Sequence, residues 1–325
     1  MVYPLDKKKS LSIYNEMQFL RIVEETIASK YHENKMRCPV HLAIGQEAVS
    51  AAFSEVVSKN DYAMSSHRAH LHFLAKGGSL RSMIAEIYGK RNGCSSGKGG
   101  SMHLIDLRVN FMGSTAIVGN TIPISAGLAL ASKIKKEKKI TYVFFGDGAI
   151  EEGAFYETVN FAIVKKLPII FVCENNFYSV YTSLSARQPE KRKIYKMVEA
   201  MGIKTYNVDG NNPSKCYQTF LNSKKYVNLK NKPAFLEFET YRHLEHCGPN
   251  NDDILNYRSI REIKEWKKKD PLKNFEKTLI KKKILNKQKI LLIKKKIVKE
   301  VAYAFDKAEK DKFPKQNEAY KGLYA

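Results

Sequence analysis

The stretch Gly146-Asp147-Gly148-Ala149-Ile150-Glu151-Glu152-Gly153, followed by Glu174-Asn175-Asn176, decides how this chain folds. Residues 140–145 form a short apolar run, read as a buried strand that breaks at the Gly-Asp-Gly turn. Between 151 and 166 the apolar residues Phe155, Val159, Ala162 and Ile163 recur on one helical face. Leu167-Pro168 ends that helix, and residues 169–173 read as a second buried strand. A right-handed crossover makes the two strands parallel neighbours. Asp147 then stands just past the carboxyl end of one strand and Asn176 just past that of the next. Open parallel sheets bind their ligands at that edge.

The residue types there suit a particular ligand. Glycines let backbone N–H groups approach an anion, and a helix amino terminus adds partial positive charge, so a phosphate is favoured. An Asp carboxylate and an Asn amide oxygen are hard ligands of the kind Mg²⁺ takes together with phosphate oxygens and water. The expected Mg²⁺ ligands are Asp147, Asn176 and the backbone carbonyl of Tyr178. Gly-Asp-Gly alone is a common tight turn. Joined by a helix and a strand to Asn-Asn, it resembles the thiamine diphosphate motif.

Other segments narrow the resemblance. His41-Leu42-Ala43-Ile44-Gly45-Gln46-Glu47-Ala48, Ser66-His67-Arg68-Ala69-His70, Gly99-Gly100-Ser101-Met102-His103 and Ala116-Ile117-Val118-Gly119 precede the motif; Tyr241-Arg242, His246 and Asn256-Tyr257-Arg258 follow it. Together they resemble the alpha subunit of the decarboxylating component of 2-oxo-acid dehydrogenase complexes, of pyruvate, branched-chain or acetoin type. The resemblance runs from about residue 11 to residue 314. It implies a thiamine diphosphate-binding α/β fold, a mainly parallel sheet flanked by helices. A single domain over 1–325 is expected, with helical extensions at 1–35 and, strongly basic, at 275–325.

The family match also assigns roles. It implies that Gly146, Asp147, Gly148, Ala149, Asn176 and Tyr178 hold the cofactor, that Arg68 grips the diphosphate with its forked guanidinium, and that the backbones of Ala116 and Val118 meet the aminopyrimidine ring. His67 joins the cofactor set, although many pyruvate enzymes carry Tyr there. Catalytic roles are implied for His41 on the substrate side, for His70 near the reactive ring, and for His246, which could also donate to the diphosphate. In mammalian relatives a regulatory serine follows that histidine; here Cys247 follows. The ring-activating glutamate belongs to a separate beta subunit, so an α₂β₂ heterotetramer is implied. It would decarboxylate a small 2-oxo acid, or act on acetoin, and pass the acyl group to a lipoyl acyltransferase. His67 and the run Tyr178-Ser179-Val180-Tyr181 also admit an acetoin-type relative, or one serving a sugar or surface-polysaccharide pathway. Outside enzymes the alternatives are an inactive scaffold or a basic binding protein; the intact Asp147, Asn176 and Arg68 argue against a lost site.

Other motifs have plainer explanations. Gly93-Cys94-Ser95-Ser96-Gly97-Lys98-Gly99 fails as a phosphate-binding P-loop, because only three residues separate the first Gly from Gly-Lys and Gly99 stands where Ser or Thr is needed. It reads as a flexible Gly-rich loop. His67 and His70 have helical spacing but lack an acidic or cysteine zinc ligand nearby. His103 fits a structural histidine as well as a site residue, and Glu47 reads as structural. Asn120-Thr121-Ile122-Pro123 opens a helix through Lys135 that belongs to the apolar core.

Composition sets outer limits. In 325 residues, 56 Lys plus Arg face 33 Asp plus Glu, a net charge of +23. The lysines crowd residues 133–139, 264–269 and 281–299, the last interleaved with Ile284, Leu285, Ile290, Leu291, Leu292, Ile293 and Ile297. That pattern is an amphipathic helix with a solvated basic face, which fits an acidic partner better than nucleic acid. The five cysteines form no Cys-x-x-Cys pair and read as free thiols of a reducing compartment. No apolar run approaches the ~20 residues of a membrane span. Residues 11–28 read as an amphipathic helix rather than a signal segment, and a cytoplasmic location is expected.

Overall fold

The computed structural model describes residues 5–322. Its elements, in chain order, are α1 (Lys7–Tyr31), α2 (Glu47–Ser54), β1 (Tyr62–Ser65), α3 (His70–Ala75), α4 (Leu80–Ile87), β2 (Phe111–Ser114), α5 (Thr121–Ile134) and β3 (Thr141–Gly146). They continue with α6 (Gly153–Val164), β4 (Ile169–Asn175), the small strands β5 (Tyr178–Ser179) and β6 (Thr182–Ser183), α7 (Leu184–Arg187), α8 (Ile194–Glu199), β7 (Lys204–Asp209), α9 (Pro213–Lys230) and β8 (Ala234–Glu239). The last helices are α10 (Ile260–Lys268), α11 (Pro271–Lys281) and α12 (Lys287–Lys310).

Six strands make one sheet in the order β2-β1-β3-β4-β8-β7, and every pairing in it is parallel. The central strands are apolar on both faces, as a sheet covered on both sides requires. Side chains alternate with the period of a strand. Tyr142, Phe144, Ile170, Val172, Leu236 and Phe238 enter one core. Val143, Phe145, Ile169, Phe171, Cys173 and Phe235 enter the other. The first core is filled from α1, α2, α4, α9, α11 and α12, the second from α5, α6 and α8. In the first, Phe53 of α2 sets its ring edge-on to Tyr142 and Phe144, with centroids 5.1 and 4.9 Å away.

The helix starts follow local chemistry. Asp6 caps α1 by accepting from Lys9 N at 2.7 Å. Asn212 and Asp270 cap α9 and α11, each with Pro in the first turn, where its missing N–H costs nothing. α1 buries Ile13, Tyr14, Met17, Leu20, Val23 and Ile27, an amphipathic helix longer at both ends than its pattern indicates.

Two expectations shift. The helix after β3 begins at Gly153 rather than Glu151, because a 3₁₀ turn over Asp147–Glu151 intervenes and Glu152 is extended. In α12 the buried face is Ile297, Val301, Ala304, Phe305 and Ala308. Leu291 and Leu292, read as part of the apolar stripe, are 67% and 61% exposed. No helix among the described residues is long and apolar enough to cross a membrane.

Candidate active site

From β1 the chain moves to β2 on one side of the sheet; from β3 it moves to β4 on the other. The carboxyl ends of β1 and β3 therefore flank the point where strand order reverses, the ligand crevice of open α/β sheets. A partly open cleft lies there. His67, Arg68, Val118, Gly146, Asp147, Gly148, Ala149, Asn176, Tyr178 and His246 line it, joined by Gln46, Ser66, Glu174, Ser179 and Val180, to which the sequence motifs assigned no site role. Ala116, His41 and His70 are not on its wall.

At one end the groups are hard oxygens. Asp147 is 1% exposed. Its Oδ2 accepts from Arg187 Nη2, while its Oδ1 is buried with no hydrogen-bond partner. Burial raises the Asp147 carboxyl above its ordinary value, against the pull of Arg187. Asn176 Oδ1 accepts from Tyr178 N at 3.2 Å, and its Nδ2 reaches Gln46 Oε1 at 3.4 Å. Glu174 Oε1 is a second buried carboxylate oxygen without a partner. Buried acceptors left unpaired are costly unless a ligand completes them, and a cation of Mg²⁺ type matches this donor set. Arg187 also reaches Glu151. No motif marks Arg187 in the sequence; only the fold carries the segment after β4 back over the Gly-Asp-Gly turn.

Facing this end is a guanidinium without a carboxylate. Arg68 is 6% exposed. It donates from Nη1 to the Leu42 carbonyl at 2.6 Å and from Nη2 to the His246 carbonyl at 3.1 Å. Burial and the nearby Arg242 push it down to about 9. A buried cation paired only with carbonyls and the His246 Nδ1, 3.4 Å from its Nη2, is poised for an anionic ligand, which a diphosphate supplies. The β5–β6 turn closes the cleft with Val180 at φ 54°, a backbone strain that is costly for a β-branched residue. Its carbonyl accepts from Arg242 Nη2 at 2.7 Å.

The histidine end is different. His41, His67 and His246 bring their rings together, with centroids 4.6 Å apart for His41–His67, 5.1 Å for His41–His246 and 5.3 Å for His67–His246. Burial first, then the Arg68 charge, pushes His41 down to about 2, His67 to about 4 and His246 to about 3. All three stay neutral bases at physiological pH. The three histidines of the 67–72 run separate. His67 faces the cleft; His70 lies behind it, held by Glu24 Oε1 at 2.7 Å and Ser101 Oγ at 2.8 Å. His72 bonds Ser65 Oγ at 2.8 Å and stacks on Phe144 at 4.1 Å. No zinc site joins His67 to His70. His103 is exposed.

The Gly-rich loop is pinned rather than loose. Glu86 of α4, fully buried, accepts at Oε2 from Ser95 N and Gly97 N at 2.7 and 2.9 Å. Its Oε1 accepts from Gly99 N and Gly100 N at 2.6 and 3.2 Å. Those amides serve a protein carboxylate, so the loop cradles no phosphate. Glu47 is structural, paired with Arg21 and accepting from Gly45 N at 3.0 Å. All five cysteines are free.

Comparison with known proteins bears on the same residues. The family model described as "Dehydrogenase E1 component" matches residues 15–317. The chain belongs to the dehydrogenase E1 component family. It is 35% identical over 322 residues to the pyruvate dehydrogenase E1 component subunit alpha of Rickettsia felis, covering 99% of this chain and 98% of that one. It is 33% identical over 327 residues to the chloroplastic subunit alpha-3 of Arabidopsis thaliana, covering 99% of this chain and 76% of the relative. As an E1 component the chain is a thiamine diphosphate-dependent 2-oxo acid dehydrogenase subunit. Its parallel sheet and switch-point cleft are those of a thiamine diphosphate-binding fold.

Proposed function

We propose that this chain is the alpha subunit of a pyruvate-type E1 enzyme, with the diphosphate half of the cofactor site in its switch-point cleft. One observation carries the reading: an unpartnered oxygen of buried Asp147 and a buried Arg68 without a carboxylate line the same cleft. Asp147, Asn176 and the Tyr178 carbonyl would hold Mg²⁺, and Arg68 the diphosphate. Gly146, Gly148 and Ala149 shape the turn beneath it, and a Cβ at Gly148 would meet Ser179 Oγ at 2.8 Å. The backbones of Ala116 and Val118 are assigned to the aminopyrimidine ring. When bound, thiamine diphosphate supplies the electron sink for decarboxylating a 2-oxo acid.

The chain's own groups then orient and move protons. His67 and His246 on the cleft wall, with His41 packed against both rings, are neutral and can accept or return a proton beside the substrate carbonyl. His70 acts from behind the wall as a positioning group, fixed at both ring nitrogens by Glu24 and Ser101. An alpha subunit implies a beta subunit, and the surface is consistent with one. Ile117 and Val118 beside the cleft are 63% and 43% exposed, as are Ile124, Phe161 and Val164 on α5 and α6 at 48%, 38% and 65%. An α₂β₂ assembly that delivers its acyl group to a lipoyl carrier fits this arrangement.

Calorimetry of the αβ complex provides the test. Asp147→Ala is expected to abolish Mg²⁺-dependent thiamine diphosphate binding, and unchanged affinity would sink the assignment. Turnover with an artificial electron acceptor is expected for pyruvate above 2-oxobutyrate, branched 2-oxo acids and acetoin. A complex that prefers acetoin, or accepts none of these, would redirect the reading to an acetoin-type or sugar-pathway enzyme.

A further inference from the structure

His41, His67 and His246 come from three distant parts of the chain: the stretch before α2, the loop after β1, and the loop after β8. Their ring nitrogens nevertheless converge. One ligand nitrogen from each lies within 4.8 Å of the other two. His41 Nδ1 is buried with no hydrogen-bond partner. Three imidazoles and an open fourth position are the donor set of a tetrahedral transition-metal site. Tetrahedral coordination at about 2.0–2.1 Å brings such nitrogens to about 3.3 Å from one another, a contraction that side-chain rotation would have to supply on binding. Imidazole is a borderline ligand, so Zn²⁺ and its neighbours are favoured over Mg²⁺, which prefers the oxygens at the other end of the cleft. Arg68, whose Nη2 lies 3.4 Å from His246 Nδ1, adds a positive charge close by and selects an anion as fourth ligand.

We propose that His41, His67 and His246 form a three-histidine site for a borderline divalent metal of Zn²⁺ type, separate from the Asp147–Asn176 site. The metal would hold all three imidazole lone pairs at once. On the function proposed above, it would remove the bases beside the substrate and act as a reversible inhibitor that added Mg²⁺ does not relieve.

The test uses the αβ complex, stripped of metal and titrated with Co²⁺ or Zn²⁺ in the presence of excess Mg²⁺. One Co²⁺ per alpha chain is expected to give the intense visible bands of a tetrahedral nitrogen-rich site, and Zn²⁺ to displace it. His67→Tyr is expected to erase the bands and weaken Zn²⁺ binding by about 100-fold or more, beyond the roughly 10–100-fold typical of losing an outer partner of a metal ligand. Asp147→Asn is expected to leave them unchanged. In the unaltered complex, Zn²⁺ should protect His41, His67 and His246, and not His103, from diethyl pyrocarbonate, read by peptide mass. Bands that survive His67→Tyr, bands lost with Asp147→Asn, or no protection of the three histidines would each overturn the site. None of these readouts depends on turnover, so they stand or fall apart from the substrate assignment.

Discussion

Neighbouring residues of the same strand meet different surroundings on the two faces of this sheet. Phe144 points into a deep core closed by α1, α2 and α9 and backed by α11 and α12. Phe145 points the other way, into a smaller core under α5, α6 and α8. The deep face is covered by helices of the chain itself, although α9 and α12 still leave Leu229, Leu291 and Leu292 at 79%, 67% and 61% exposure. The shallow face ends in side chains open to solvent, among them Ile134 at 71% and Val164 at 65% exposure. Apolar side chains grouped this way mark an association surface more often than a finished exterior. The difference teaches that the deep face supplies the larger core of the subunit, while the exposed apolar residues of α5 and α6 beside the cleft are where the beta subunit is expected to pack.

The largest expected effect tests the deep face. Phe144→Ala removes a ring that stacks on His72 at 4.1 Å and meets Phe53 at 4.9 Å. Its loss should cost about 3–5 kcal/mol in urea unfolding. A cost near that of a surface change would mean that the two faces do not differ as described. Next comes the shallow face. Val164→Lys should shift the stability of the isolated chain by no more than about 0.5 kcal/mol. The same substitution should weaken association with the beta subunit by roughly 10-fold or more, measured by sedimentation. Assembly that tolerates the lysine would place the partner elsewhere.

The smallest effect sharpens the contrast, because the deep face carries a penalty of its own. Burial, then Glu55 and Glu300, pushes the Glu16 carboxyl of α1 up to about 7. The folded chain thus keeps a proton that the unfolded chain releases above about 4.5. Stability from this group is complete below that value and is lost as pH rises through the folded one. Glu16→Gln should therefore gain about 1 kcal/mol above pH 7, discounted for partial solvent access. The gain should shrink as pH falls below 7 and vanish below about 4.5. A pH-independent gain would trace the effect to packing instead.

How much of this was legible in the sequence depends on range. The strand–helix–strand around Asp147 was readable because its signals are local: an apolar run, a glycine turn, a helical period, a proline stop. The 3₁₀ turn over Asp147–Glu151 was not, since nothing in Ile150-Glu151-Glu152 opposes a helix. His41, His67 and His246 were each legible from their motifs, but their convergence depends on three distant loops. Arg187 and the Glu24 that orients His70 left no sequence signal, because both act across the fold. Leu291 and Leu292 misled because an amphipathic pattern specifies a face without saying how far its neighbours extend.

Glu86 has a mechanical consequence. With four backbone amides of residues 95–100 on one side chain of α4, that loop cannot swing as an independent lid. Its shape is dictated by the helix, so any displacement must carry α4 with it. The wall of the molecule beside His70 and Ser101 is thereby braced as one bracket, in contrast to the β5–β6 side, where the backbone is strained at Val180.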